Sequence, residues 1–180
     1  MKYLIVVDVQ KDFVDGNLGS KEAAEMLPRL IQKVKSFDGE VIFTKDTHFE
    51  NYLKTQEGRL LSVKHCIKNT DGWEFPTELA PLAKGRKVYE KSAFASRQLA
   101  EDILKSYECG KVDSVELVGI CTDICVVSNA LMLKGFMPEL TISVDASCCA
   151  GVTPQKHNAA LDTMESCQIR VRKRGKKDVM

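Results

Sequence analysis

The feature that most constrains the fold of this chain is its alternation of short apolar runs with stretches of helical period. Candidate strands cover Tyr3–Val9, Val41–Lys45, Lys87–Tyr89, Ser114–Val118, Leu140–Val144 and Gln168–Val171. Helical patterns cover Ala23–Ser36, Ser96–Tyr107, Asp123–Leu133 and Pro154–Met164. Leu27, Leu30, Ile31 and Val34 share one face of the first helix, where Pro28 marks either a kink or a start. Thr153 precedes Pro154 as an N-cap precedes a proline at the first helical position. Such alternation builds βαβ units on a parallel sheet, and strands apolar on both faces belong between two helix layers.

A chain of 180 residues fits one domain, read here as residues 1–180, and no repeat or low-complexity linker divides it. With 44% hydrophobic and 28% charged residues it is neither disordered, collagenous nor coiled coil. A net charge of +1 gives no field to attract nucleic acid. The basic run Arg170–Lys177 has no interleaved aromatic residues for base stacking and reads as a solvated tail or edge strand. MKYLIVVDVQ reads as a strand rather than an export signal, and no apolar run approaches the ~20 residues needed to span a bilayer. The seven cysteines, an odd count, argue for reduced thiols and a cytoplasmic protein, with no membrane partner.

In open parallel sheets, ligands bind beyond the carboxyl ends of the strands. Asp8, Asp46, Lys91 and the loop at Gly119 fall there. The segment Thr47–Leu79 is long, polar and aperiodic, and such stretches in compact domains are commonly functional.

Val118-Gly119-Ile120-Cys121-Thr122-Asp123-Ile124-Cys125 runs from an apolar strand through a glycine turn into a helix. Cys125 then lies in the first helical turn, where the dipole and unpaired N–H groups favour a thiolate and a developing oxyanion. A small buried core cysteine fits the same position. Asp8 ends an apolar strand, a costly place for an unpaired carboxylate, and offers an acid/base group. Lys91 offers a cation, or is one more surface lysine among 26 basic residues. In the long segment, Asp46, His48, Glu57 and His65 suit a borderline divalent cation such as Zn²⁺, Mn²⁺ or Fe²⁺, although spacing alone leaves this open. His157, among alanines on the last helical pattern, reads as a packing or hydrogen-bonding histidine.

Together these residues resemble the isochorismatase-like cysteine hydrolases, and among them the nicotinamidases. The resemblance covers nearly the whole chain, with its motifs in order: Asp8 in VVDVQKDF, Asp46 and His48 in TKDTH, Glu57 and His65 in EGRLLSVKHC, then NTDGWEF, Lys91 in YEKSAF and Cys125 in GICTDICV. It implies a three-layer, Rossmann-like α/β fold with a six-stranded parallel sheet flanked by helices. It implies a catalytic triad of Asp8, Lys91 and Cys125, a cis peptide between Ile120 and Cys121, and an oxyanion hole from the N–H groups of Cys121 and Cys125. It also implies a divalent metal on Asp46, His48, Glu57 and His65, with Zn²⁺ the first choice and Mn²⁺ or Fe²⁺ the alternatives.

Phe13 matches the family's stacking aromatic. The position that carries a second aromatic wall in several nicotinamidases lies in Ser62-Val63-Lys64 here, Cys121 replaces the usual alanine, and Cys148-Cys149 has no assigned role. The implied activity is amide hydrolysis of a small molecule through a thioester, with nicotinamide as substrate and a place in pyridine nucleotide biosynthesis. An amidase acting on carbamoyl or ureido compounds is the alternative. A redox or zinc module built on Cys121, Cys125, Cys148 and Cys149 is a reading of another class, for which the CxxxC spacing is poor. Homo-oligomerisation is left open.

Overall fold

In the computed structural model, which describes residues 1–172, the apolar runs form one six-stranded parallel sheet. The strands are β1 (Lys2–Val7), β2 (Glu40–Asp46), β3 (Val88–Lys91), β4 (Ser114–Ile120), β5 (Thr141–Ala150) and β6 (Arg170–Arg172), in the order β3-β2-β1-β4-β5-β6. The helices are α1 (Lys11–Val14), α2 (Lys21–Ser36), α3 (Gln56–Leu60), α4 (Ala80–Ala83), α5 (Arg97–Glu108), α6 (Val127–Phe136) and α7 (Pro154–Ser166). A π-type turn at Thr122–Val126 leads into α6.

Side chains alternate across a strand, so β1 feeds two cores. Tyr3, Ile5 and Val7 pack with Leu99 and Ile103 of α5, Ala130 and Leu133 of α6, and Leu161 and Met164 of α7. Leu4 and Val6 pack on the other side with Met26, Leu30 and Val34 of α2 and with Trp73, Phe75 and Leu79. The expected three-layer α/β architecture is therefore present. Ser20 caps α2 by accepting the Ala23 N–H, and the helix runs through Pro28, which neither starts nor ends it.

The chain order reverses between the neighbours β1 and β4, and open parallel sheets bind ligands beyond the carboxyl ends of their strands at such a switch point. Gly119 makes this pairing possible. Its φ is +124°, and a Cβ there would lie 2.1 Å from the Val7 carbonyl oxygen, so only glycine fits.

Three expectations are corrected. β1 stops at Val7, two residues early, because Asp8 turns left-handed with φ 49°. Asp46 and Lys91 are the last residues of β2 and β3, paired in register, rather than residues beyond them. Cys148 and Cys149 lie within β5 instead of after a strand. Between the pairs Leu117–Val144 and Gly119–Cys149, one residue of β4 faces four of β5, and this bulge hides the period of two that would have marked the strand's second half.

The segment Thr47–Leu79 is irregular but not structureless. It contains turns at Tyr52–Lys54 and Asp71–Trp73 and the short α3, and the His48 N–H donates to the Cys66 carbonyl at 2.9 Å. Of the basic run, Arg170–Arg172 forms the edge strand β6, and residues 173–177 lie outside the described residues. Among the described residues no helix is long and apolar enough to cross a membrane.

Candidate active site

Three strand ends and the turn after β4 place the functional side chains in one buried cluster. Asp8, immediately after β1, is fully buried, and its backbone N–H donates to Thr44 Oγ1 at 3.2 Å. The Thr44 hydroxyl in turn donates to Asp8 Oδ1 at 2.6 Å. The Lys91 ammonium lies 2.6 Å from Asp8 Oδ2 and 3.7 Å from Asp46 Oδ1, and it donates to the Ala93 carbonyl at 3.0 Å and to Cys125 Sγ at 3.4 Å. Lys91 is therefore a buried cation between a carboxylate and a thiol, which excludes the surface-lysine reading.

Burial raises the pKa of Asp8, and the opposing charge of Lys91 does not cancel it. Burial also pushes the Cys125 thiol well above its ordinary range, with the Asp8 carboxylate adding to the effect. For Lys91 burial acts downward, but Asp8 and Cys125 outweigh it and hold the ammonium above the ordinary lysine value. Burial thus favours the neutral thiol at Cys125, while its neighbours favour the charged form of Lys91. The first-turn position of Cys125 is more specific than expected: it sits in the π-type turn, where the Cys121 carbonyl accepts the N–H groups of Ile124 (3.1 Å) and Val126 (3.0 Å), on either side of Cys125. The peptide between Ile120 and Cys121 is cis.

Sequence reasoning missed the amides that hold this geometry. Asn129, on the first turns of α6, donates to the carbonyls of Cys125 (2.8 Å) and Phe94 (3.1 Å) and accepts the Ser96 N–H (2.9 Å), tying the turn that carries Cys125 to the loop after Lys91. Its spacing of four from Cys125 on a helix was the available signal. Gln10 is fully buried; its side chain accepts the Asp46 N–H at 2.8 Å and donates to the Asp46 and Trp73 carbonyls, both at 2.9 Å. Asp12 Oδ2 accepts the Cys66 N–H at 2.8 Å, next to His65. Both lie in VVDVQKDF, where two polar side chains flanking a strand end hinted at a role.

Asp46, His48, Glu57 and His65 bring one donor atom each within 4.8 Å of one another. His65 Nδ1 is bonded to the Val63 carbonyl at 2.8 Å, which leaves Nε2 facing the cluster. His48 Nε2 is buried without a partner in hydrogen-bonding geometry, although Asp46 Oδ2 is 3.0 Å away. Burial acts to raise the pKa of Asp46, but the imidazoles of His48 and His65 and the Lys91 charge hold it below the carboxylate range. An orphaned imidazole nitrogen among two carboxylates and a second imidazole fits a divalent cation. Among the described residues Cys121, Cys125, Cys148 and Cys149 form no comparable group, and all seven cysteines are free.

Phe13 is buried with its ring 5.5 Å from that of His65, tilted by 56°. His157 bonds Thr122 Oγ1 through Nδ1 at 2.8 Å, the hydrogen-bonding role expected of it, and so braces the turn that carries Cys125.

The nicotinamidase of Schizosaccharomyces pombe is 29% identical, over 93% of this chain and 91% of that one. The crystal structure of a nicotinamidase/pyrazinamidase from Bacillus subtilis superposes with a TM-score of 0.84 at 26% identity, covering 96% of this chain and 99% of that one. A pyrazinamidase of Pyrococcus horikoshii, solved in complex with zinc, gives 0.81 at 26% identity, covering 96% and 98%. The isochorismatase domain family model matches residues 2–174. Asp8, Lys91 and Cys125 therefore meet at the switch point of a known architecture, and the chain belongs to the isochorismatase family.

Proposed function

We propose that this protein is a nicotinamidase, hydrolysing nicotinamide to nicotinate and ammonia through a thioester on Cys125. The observation that carries the reading is Lys91 Nζ, 2.6 Å from Asp8 Oδ2 and 3.4 Å from Cys125 Sγ, at the carboxyl ends of the strands. Because the resting sulfur is a thiol, the proton moves to Asp8 Oδ2 as sulfur attacks the carboxamide carbon. Lys91 offsets the negative charge while it passes from carboxylate to sulfur. The N–H groups of Cys121 and Cys125 receive the developing oxyanion. Asp8 then protonates the leaving nitrogen, and ammonia departs. The same carboxylate deprotonates a water that attacks the thioester, releasing the acid and returning the thiol.

Asp46, His48, Glu57 and His65 would hold a divalent ion, with zinc the first choice. When bound, it supplies a Lewis-acid anchor for the pyridine nitrogen. Phe13 offers the ring an apolar face, which orients the amide toward Cys125. The reading includes one catalytic domain over residues 1–180, a small-molecule amide as partner rather than nucleic acid or a membrane, and a cytoplasmic setting that keeps its free thiols reduced. The relatives named nicotinamidases and the zinc-bound pyrazinamidase support it.

The test is ammonia release from nicotinamide, pyrazinamide and a panel of carbamoyl compounds, with Cys125→Ala beside the wild type. Activity on the pyridine and pyrazine carboxamides that is abolished in Cys125→Ala is expected. Release from the carbamoyl compounds alone would move the substrate class, and equal activity in Cys125→Ala would overturn the mechanism.

A further inference from the structure

We propose that Thr44 is a positioning residue that assigns the two oxygens of Asp8, reserving Oδ2 as the atom that receives and returns the catalytic proton. The proposal deepens the nicotinamidase reading and rests on the proton transfer from Cys125 to Asp8.

Thr44 Oγ1 accepts the Asp8 N–H at 3.2 Å, so the single hydroxyl hydrogen is free to point at Asp8 Oδ1, 2.6 Å away. The two bonds form a reciprocal clasp on one residue, and that residue is in the left-handed region, φ 49°, where a non-glycine side chain needs outside support. Both groups are fully buried, so water does not substitute for either bond. Thr44 comes from the middle of β2 and Asp8 follows β1, and the parallel pairing of these strands brings the two together.

The clasp leaves the carboxylate asymmetric. Oδ1 is engaged by a hydroxyl that has no other hydrogen to offer. Oδ2 is buried and faces Lys91 at 2.6 Å, an ion pair that lies off hydrogen-bonding geometry at the oxygen. A lone pair on Oδ2 therefore remains for a proton. The transfer is balanced: the S–H bond of Cys125 breaks, its electron pair stays on sulfur, and an O–H bond forms at Oδ2. Thr44 keeps Oδ1 occupied while Asp8 is neutral, so the new O–H stays on Oδ2, the oxygen beside the ammonium that also contacts sulfur. Without the hydroxyl the carboxylate is free to rotate about its Cβ–Cγ bond, and Lys91 competes for both oxygens.

The decisive variants are Thr44→Val, nearly isosteric but without a hydroxyl, and Thr44→Ser, which keeps the hydroxyl. Two readouts separate this proposal from the reading beneath it: kcat and KM for ammonia release, and the rate of Cys125 alkylation by iodoacetamide, which needs no substrate. Thr44→Val is expected to lose about 100-fold in kcat with KM within twofold of wild type, and to be alkylated at least tenfold more slowly. Thr44→Ser is expected to recover both rates to within about threefold. Folded Thr44→Val with wild-type rates, or with faster alkylation, overturns the proposal. So does folded Thr44→Ser that stays as slow as Thr44→Val. If Thr44→Val does not fold, Thr44→Ser decides alone: retained rates support the clasp, and a loss beyond tenfold overturns it. Failure of the wild type to release ammonia from any amide would overturn the nicotinamidase reading instead, while alkylation still reports on Thr44.

Discussion

At the residue scale the site is defined by charges that cannot reach water. Asp8 and Lys91 neutralise one another inside the protein, and removing one partner strands the other. Breaking such a buried pair costs about 3–5 kcal/mol. Lys91→Met is therefore expected to lower the melting temperature by roughly 6–20 °C and to reduce kcat by at least ~10²-fold, read by calorimetry and ammonia release. The pH dependence of activity follows from the direction of the Asp8 shift. In the proposed mechanism Asp8 serves as base only when ionised, and burial raises its pKa above the ordinary 3.8. Activity is lost as pH falls through that raised value, so the acid limb of kcat/KM is expected above 3.8. A limb at or below 3.8 would remove Asp8 from the role of base. Lys91 sits above its ordinary 10.5 and stays charged through the neutral range, so no limb near neutrality belongs to it.

At the scale of elements, the bulge in β5 is tied to α2 by charge. Lys33 lies 2.6 Å from Asp145 and 3.0 Å from Glu116, and Arg172 of β6 reaches Glu116 at 3.2 Å. Lys33→Met leaves two mostly buried carboxylates short of a partner. Residual solvent and Arg172 reduce the cost below that of a fully buried pair, to about 2–3 kcal/mol, or a fall of roughly 4–12 °C in melting temperature. Burial acts to raise the pKa of Asp145, but its bond with Lys33 outweighs it and holds the carboxyl below 3.8. Stabilisation of that kind is present above the unfolded pKa and disappears as pH falls through the folded one. The gap between wild type and Lys33→Met is thus expected to narrow as pH drops below about 4. A gap that widens in acid would show that the pair does not supply the stability. This contact is remote from Cys125, and kcat at neutral pH should be unchanged.

At the scale of the whole molecule, the segment between β2 and β3 supplies three of the four groups of the donor cluster. Asp46 belongs to β2, whereas His48, Glu57 and His65 come from the following loop. A cation bound to the folded state alone stabilises it by mass action, about 2.7 kcal/mol at 100 times its dissociation constant. Chelation is expected to lower the melting temperature by roughly 5–10 °C and to abolish ammonia release, with zinc restoring both. His48→Ala should be indifferent to the chelator. A purified protein free of divalent metal, with the same melting temperature with and without EDTA, would remove the ion from the account.

How much of this was legible follows from which interactions are local. Apolar period and caps are properties of neighbouring residues, so five strands and four helices could be located to within a few positions, and Thr153 and Pro154 were readable as a helix start. The order of Asp8, Asp46, His48, Glu57, His65, Lys91 and Cys125 along the chain was enough to identify the family. The second half of β5 was hidden by its bulge, and Cys148 and Cys149 with it. The clasp of Thr44 on Asp8, the hold of Gln10 on Asp46 and the reach of Asn129 to Phe94 each join residues 35 or 36 positions apart. The amino-acid sequence by itself determined which chemical groups are present and which segments become strands and helices, because propensity and hydrophobic period act over a few residues. Only the tertiary structure decided which oxygen of Asp8 faces Lys91 and that the Cys125 sulfur is cut off from water, because hydrogen-bond direction and desolvation exist only once distant strands have closed around the site.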